Sequence, residues 1–213
     1  MLFNLVLAFS LTRLLLNPKT KAHVATYELF GELVIAANVV RTISNNPWYV
    51  TSIRENLFAP AERHAGFDFH CLLETAWYIS LLPHCDSTGM FVHHALSAAM
   101  ALYGLHMNVS YLGFMVLSIM VWSNLFLAAS RILHYNGSPH AKHAFALFAL
   151  VYFAMRIVVF PFLYMPLMLF RVWPVWEAAG LQQTCYIMNG GLLVITGMQF
   201  WWFGRILKVA SNR

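Results

Sequence analysis

The feature that most constrains this chain is the stretch of residues 87–130, which contains no Asp, Glu, Lys or Arg. A second uncharged stretch covers residues 178–204. Because a helix needs about 20 mostly apolar residues to cross a bilayer, the first stretch is long enough for two crossings and the second for one. Of all residues, 60% are hydrophobic and 10% are charged, which excludes a soluble globular protein and a disordered one. We therefore predict an all-α fold, a polytopic transmembrane helical bundle.

The net charge of +5 limits the partners that can be expected, and the three cysteines bear on whether the fold contains disulfides. The basic residues are scattered, whereas nucleic acid binding needs them clustered, so no nucleic acid partner is predicted. An excess of basic residues is typical of a membrane protein whose ends face anionic lipid. Cys71, Cys85 and Cys185 form no CxxC pair, and we interpret them as ordinary apolar residues rather than as a disulfide scaffold.

Breaks in the apolar pattern divide the chain into two units. Residues 1–23 form an N-terminal apolar or interfacial segment, whose short helix carries Arg13 and ends at Asn17, Pro18 and Lys19. A targeting segment, an interfacial helix and a short span all remain open for it. The second unit, residues 24–208, is predicted to contain about six spans, at residues 24–43, 69–83, 89–107, 110–133, 143–170 and 183–208.

Loops and prolines set the ends of these spans. Residues 44–68 are the one long polar loop that the sequence predicts. Pro161 and Pro166 lie inside the span 143–170 and predict a kink or an early end there, because proline lacks the N–H that continues a helix. An interfacial turn is expected after that span, at Trp173, Pro174 and Trp176.

Several polar residues lie within the predicted spans, where a charge costs about 2.5–3.5 kcal/mol and therefore usually faces a bundle interior or water. They are Glu74, His93, His94, Asn124, Arg156 and Gln199.

Two of these groups have structural and functional interpretations that the residues alone leave open. His93 and His94 are adjacent and point about 100° apart on a helix, so we expect at least one ring in the bundle interior, either as a helix–helix hydrogen-bonding group or in a catalytic or binding role. Arg156 is expected to point inward, either as a structural partner of Glu74 or of carbonyl groups, or as an anchor for a lipid headgroup or acyl carbonyl.

A metal site is the weakest interpretation of these residues. It would combine His70 and Glu74, which share a helix face, with the His pair. Membrane di-iron enzymes need many more histidines in repeated patterns, and most other histidines here lie in predicted loops. We therefore predict no metal and no other cofactor.

Four segments, taken in order, resemble the TLC-domain family, which includes the ceramide synthases. The resemblance extends over about residues 24–208. The segments are ETAWYIS at residues 74–80, MFVHH at 90–94, YLGF at 111–114, and Tyr152-x3-Arg156-x3-Phe160-Pro161.

This resemblance implies a barrel-like bundle of six transmembrane helices around a central cavity, with a phospholipid or acyl chain as its occupant. It makes Arg156, Asn124 and Tyr78 candidate lipid-binding or structural polar residues. In the ceramide synthases the His pair works with an acidic motif on the following span. The matching positions here are Met120, Val121, Asn124 and Ala128, so the acids of that motif are missing.

The missing acids favour a protein without enzymatic activity. An imidazole works well as a base or nucleophile only when a carboxylate orients it, and Glu74 is the one intramembrane acid available to His93 or His94. The first hypothesis is therefore a non-catalytic membrane protein that binds or organises lipid. The alternative is a ceramide synthase-like N-acyltransferase that uses acyl-CoA. A transporter is disfavoured because the sequence lacks repeated halves with broken helices.

The sequence also suggests partners and a location. Membrane lipids are the expected partners, and a small chain with short polar loops is also suited to be an accessory subunit of a larger membrane complex. The basic start of the chain has no acid before Glu28. Such a start suits the mitochondrial inner membrane as well as the endoplasmic reticulum.

Overall fold

The computed structural model describes residues 1–16, 20–47 and 65–211, and all regular structure in these ranges is helical. A short 3-10 turn, Leu82–His84, follows the third helix. The helices are α1 (Leu2–Leu16), α2 (Lys21–Asn45), α3 (Ala65–Leu81), α4 (Thr88–His106), α5 (Ser110–Tyr135), α6 (Ala141–Ala178) and α7 (Gln182–Ser211).

The all-α prediction is confirmed for these residues, and α2–α7 coincide with the six predicted spans to within a few residues, except that α6 continues beyond its predicted end. By length and composition, only α5 and α6 among the described helices qualify as candidate membrane spans. Six crossings, and the division of the chain at residue 23, therefore stay predictions. The predicted break at residues 17–19 and most of the predicted loop 44–68 lie outside the described residues.

Local side chains and backbone geometry set several helix ends. The Ser87 side chain accepts a hydrogen bond from the Met90 backbone N–H at 3.3 Å, which caps the start of α4. At the other end of α4, Asn108 has a φ of 58°. The Val109 N–H then donates to the Gly104 carbonyl at 2.8 Å. This left-handed closure satisfies a free carbonyl and separates α4 from α5.

Helix α6 extends past its predicted end and past the predicted interfacial turn. It neither ends at Pro161 nor turns at Trp173, Pro174 and Trp176, because the helix continues to Ala178. Pro161 lies in a π-helical stretch, Phe153–Tyr164, where the wider hydrogen-bond register accommodates it. Pro174 directly follows a second π-helical stretch, Met168–Val172. The turn comes later, where Gly180 has a φ of 74°.

Helix α1 belongs to the core of the bundle. The Phe9 ring packs against Trp77 of α3 with 5.1 Å between ring centroids. The Tyr27 hydroxyl of α2 donates to the Phe9 carbonyl at 3.0 Å, and this bond is buried. The Arg13 guanidinium lies over the Tyr27 ring at 5.3 Å. Both α2 and α3 therefore hold α1 in place.

Gly31 of α2 provides the space for Trp77 at the centre of this core. A Cβ at position 31 would lie 2.4 Å from Cη2 of the indole. Real Cβ atoms do not approach that closely, so only glycine fits here without a shift of the ring. The contact lets α2 and α3 approach each other closely around the Trp77 ring.

Candidate functional site

His93 and His94 lie in the second turn of α4, and the structure places both rings in the bundle interior, as predicted. The His93 ring meets Trp202 of α7 edge-on, with centroids 5.0 Å apart. The His94 ring stacks on Tyr78 of α3 at 5.2 Å. Both side chains are buried, and Nδ1 of each ring has no hydrogen-bond partner among the described residues. These two nitrogens are therefore buried polar atoms that the described residues leave unsatisfied.

The His pair forms one wall of a cavity of about 270 Å³ between α3, α4, α5, α6 and α7, which we call the polar chamber. Its polar lining comes from every one of these helices, and its apolar lining combines aromatic and aliphatic side chains. The polar groups are Tyr78, His93, His94, Asn124, Tyr152, Arg156 and Arg205, and the apolar ones include Phe145, Phe148 and Trp202.

Two further cavities share walls with the polar chamber. The first, the apolar slot, has a volume of about 40 Å³, shares Tyr78 and His93 with the chamber, and is otherwise lined mainly by aliphatic residues of α4, α5 and α7. The second, the vestibule, has a volume of about 290 Å³ and shares Met90, His94 and Leu127 with the chamber. Within the polar chamber, His93 thus adjoins the apolar slot and His94 adjoins the vestibule.

Arg156 crosses from α6 to the facing helices and is held by neutral groups. Its Nε donates to the Ser123 hydroxyl at 2.6 Å and its Nη1 to Oε1 of Gln199 at 3.0 Å. Its Nη2 donates to the Met120 carbonyl at 3.2 Å and to Oδ1 of Asn124. Because every one of these acceptors is uncharged, the hydrogen bonds fix the guanidinium without neutralising it.

The expected pairing of Arg156 with Glu74 is wrong. Glu74 is buried in α3, where its Oε1 lies 3.8 Å from Nε2 of His70. Its carboxyl also interacts with the Tyr78 hydroxyl one turn further along the helix. Asn38 of α2 contacts the other nitrogen of His70 at 3.0 Å. Glu74 therefore belongs to a separate polar cluster and does not line the polar chamber.

Glu32 is the residue of the site that sequence reasoning missed. Its Oε1 accepts hydrogen bonds from Nε1 of Trp77 at 3.1 Å and from Nδ2 of Asn124 at 3.3 Å. Asn124 thus links a buried acid on one side to Arg156 on the other. A signal was present in the sequence, because an acid one turn after Glu28 on an apolar helix faces the same way. Glu28 itself pairs with Arg131 of α5.

The residues at the positions of the missing acidic motif have other roles in this chain. Met120 and Asn124 hold Arg156, while Val121 and Ala128 are buried apolar residues. Among the described residues, no carboxylate lines the polar chamber. Nor do three or more of the residue types that ligate metals come together in the described part of the chain.

Sequence comparisons agree with this architecture. The TLC domain family matches residues 21–208. Ceramide synthase 5 of Homo sapiens is 24% identical over 182 residues, which are 80% of this chain and 45% of that protein. Alternaria stem canker resistance protein 1 of Solanum lycopersicum is 22% identical over 153 residues, 70% of this chain and 49% of that protein. The chain spans about half the length of these curated relatives. Because the family match covers most of the sequence, the chain is a membrane protein that belongs to the TLC domain family.

Proposed function

We propose that this chain is a non-catalytic TLC-fold protein that holds a lipid in the polar chamber and the apolar slot. The observation that carries the proposal is the state of the His pair. Both rings face the chamber, yet neither Nδ1 has a partner in the described residues. The groups around them suit a bound amphiphile better than a reaction.

The chemistry of acyl transfer explains this preference. To pass an acyl group from a thioester to an amine, a base must take the proton of the amine while the thiol leaves. An imidazole does this efficiently when a carboxylate fixes its tautomer and stabilises its charged form. Here the charged groups that line the chamber with both rings are Arg156 and Arg205, and no carboxylate among the described residues lines it.

One observation favours the alternative, an N-acyltransferase related to the human ceramide synthase. Tyr78 stacks on His94 and interacts with Glu74. Through Tyr78, a carboxylate could influence one imidazole of the pair, with Glu74 replacing the missing acids. Because the contact to His94 is between ring faces, Tyr78 does not orient that imidazole as a hydrogen-bonded carboxylate would.

Lipid binding is tested by purifying the protein in mild detergent and measuring bound lipid by native mass spectrometry. Val116→Phe would fill the apolar slot, and we expect it to remove most of the bound lipid. Val40→Phe is the matched control, because Val40 is 54% exposed on the outside of α2. Equal lipid content in the two variants would contradict the proposal.

Catalysis is tested separately, with reconstituted protein, a long-chain acyl-CoA and a sphingoid base. We expect no turnover above that of the His93→Ala, His94→Ala double variant, because loss of a base-orienting carboxylate can cost a factor of about 10⁴. Turnover above the double variant would favour the acyltransferase and make Glu74→Gln the next variant to assay.

The wider setting of the protein is part of the same proposal. We place it in an organelle membrane, either the mitochondrial inner membrane or the endoplasmic reticulum, and we propose that it is an accessory subunit of a larger membrane complex. Comigration with a large complex in a native gel of the fractionated organelles tests both statements. Migration as a single small protein in mild detergent would contradict the subunit role.

A further inference from the structure

The charge of the polar chamber indicates which lipids it accepts. We propose that the chamber selects an amphiphile with an anionic headgroup, a carboxylate or a phosphate, and disfavours neutral and cationic headgroups. This inference rests on the lipid-holding function proposed above and adds the chemical class of the ligand.

The first argument is that the Arg156 guanidinium contacts no carboxylate among the described residues, although Glu32 and Glu74 lie within electrostatic range of it. The side chain is 4% exposed, and its hydrogen-bond acceptors are two amides, a hydroxyl and a backbone carbonyl. A buried cation without a contacting counter-ion is costly in a membrane. A second cation, Arg205 of α7, lies exposed at the edge of the same chamber. An anion between the two guanidiniums would lower the cost of the buried one.

The second argument is the contrast with the vestibule. There, Arg13 and Arg131 face two acids, Glu28 and Asp86, so cationic and anionic side chains are balanced. The polar chamber has two arginines and no lining carboxylate among the described residues. The buried acids nearest to it, Glu32 and Glu74, are engaged by other side chains behind its wall.

The third argument is the His pair. His93 and His94 are both more than nine-tenths buried, and each has an unpartnered Nδ1 while its ring lines the chamber. A neutral imidazole can present Nδ1 as an N–H donor. Two such donors, together with Arg156, could bind the oxygens of a carboxylate or phosphate, and the binding would satisfy buried polar atoms that otherwise cost free energy.

The apolar slot indicates why the anion should be part of an amphiphile. Tyr78 and His93 line both cavities, so an anionic group beside His93 would have aliphatic side chains on the other side of the same residue. A free anion would leave that apolar surface unused. An acyl chain attached to the anion would cover it and gain the free energy of its burial.

The test compares dibrominated probes that have the same acyl chain and three different heads: a carboxylic acid, an alcohol and an amine. Bromine quenches nearby indoles, and Trp202 lines the chamber, so the signal of interest is the quenching that Trp202→Phe removes. At mildly alkaline pH we expect the acid to bind at least about tenfold more tightly than the alcohol, as for one charge-assisted hydrogen bond. The amine should bind most weakly.

Variants locate the selectivity. Arg205→Gln, which removes a charge, and His94→Leu, which removes an N–H donor, should each reduce the ratio of acid affinity to alcohol affinity by about threefold or more. Arg171→Gln, an exposed residue of α6 away from the chamber, is the matched control. Acetate or inorganic phosphate alone should displace none of the acid probe at concentrations that saturate an amphiphile site.

The outcomes separate the two proposals. Equal affinity for acid and alcohol, both sensitive to Val116→Phe, would overturn the anion selectivity and leave lipid holding intact. Displacement by inorganic phosphate alone would show a free-anion site and overturn the amphiphile. Absence of Trp202 quenching by every probe would overturn the lipid-holding function and the inference that rests on it.

Discussion

Replacing Arg156 with methionine removes the cation that ties α5, α6 and α7 together, and the structure shows which groups would lose a partner. Gln199 Oε1 keeps the Tyr152 hydroxyl as a donor at 2.6 Å, and the Met120 carbonyl keeps the Ser123 hydroxyl at 2.9 Å. Asn124 Oδ1, however, accepts only from Arg156 in the described part of the chain. Asn124 Oδ1 is therefore left without a donor, and the Ser123 oxygen loses its donor while the hydroxyl still donates to the Met120 carbonyl.

An unsatisfied buried acceptor costs about 1–3 kcal/mol. In soluble proteins of similar length, 1 kcal/mol corresponds to about 2–4 °C in Tm. We therefore expect Arg156→Met to lower the Tm by about 2–12 °C, measured by circular dichroism in mild detergent. Arg156→Lys keeps the charge but lacks the planar fork, so it should fall between the wild type and the methionine variant.

Arg171→Met is the matched control, because Arg171 lies exposed on the same helix and carries the same charge. Its Tm should stay close to that of the wild type. If Arg156→Met unfolds at the same temperature as this control, the hydrogen bonds of the guanidinium do not stabilise the fold. If Arg156→Lys is as unstable as Arg156→Met, the fork geometry rather than the charge is what matters.

Two further substitutions test the core around α1 and α3. Gly31→Ala should destabilise the protein by about 1–3 kcal/mol, because the new Cβ would overlap the buried Trp77 ring. Gly190→Ala is the control, because a Cβ there meets nothing within 4 Å, and its Tm should equal or slightly exceed that of the wild type. A lower Tm for Gly190→Ala than for Gly31→Ala would refute the overlap with Trp77. Tyr27→Phe removes the hydrogen bond to the Phe9 carbonyl, so it should lower the free energy of unfolding by about 1 kcal/mol and speed limited proteolysis of α1. An unchanged cleavage rate would show that this bond does not hold α1.

The helices could be predicted from the sequence because uncharged stretches and turn residues act locally. Ser87 and Asn108 cap and close their helices through contacts within a few residues, so their signals are visible in the chain. The continuation of α6 past residue 170 and through Pro174 was not predicted, and it follows a second π-helical stretch, Met168–Val172. Sequence spacing does not show which register a helix adopts.

The partners of the polar residues were harder to predict because they depend on how helices face one another. Opposite charge suggested Glu74 for Arg156, yet the fold directs Glu74 toward His70 and directs Arg156 toward neutral groups. The inward position of the His pair was predictable, since exposing imidazole to lipid is costly. Its neighbours Tyr78 and Trp202 come from helices far apart in the chain and required the structure.

The link that Asn124 makes between Glu32 and Arg156 restricts how this protein could regain an acidic motif. The amide has an acceptor for the arginine and a donor for the glutamate, whereas an aspartate at position 124 has only acceptors when ionised. Asn124→Asp would still suit Arg156 but would place a second negative charge against Glu32. Recovery of an acid here is therefore disfavoured unless position 32 also changes or the two carboxyls share one proton. Glu32, on a different helix, thus favours a neutral amide at position 124.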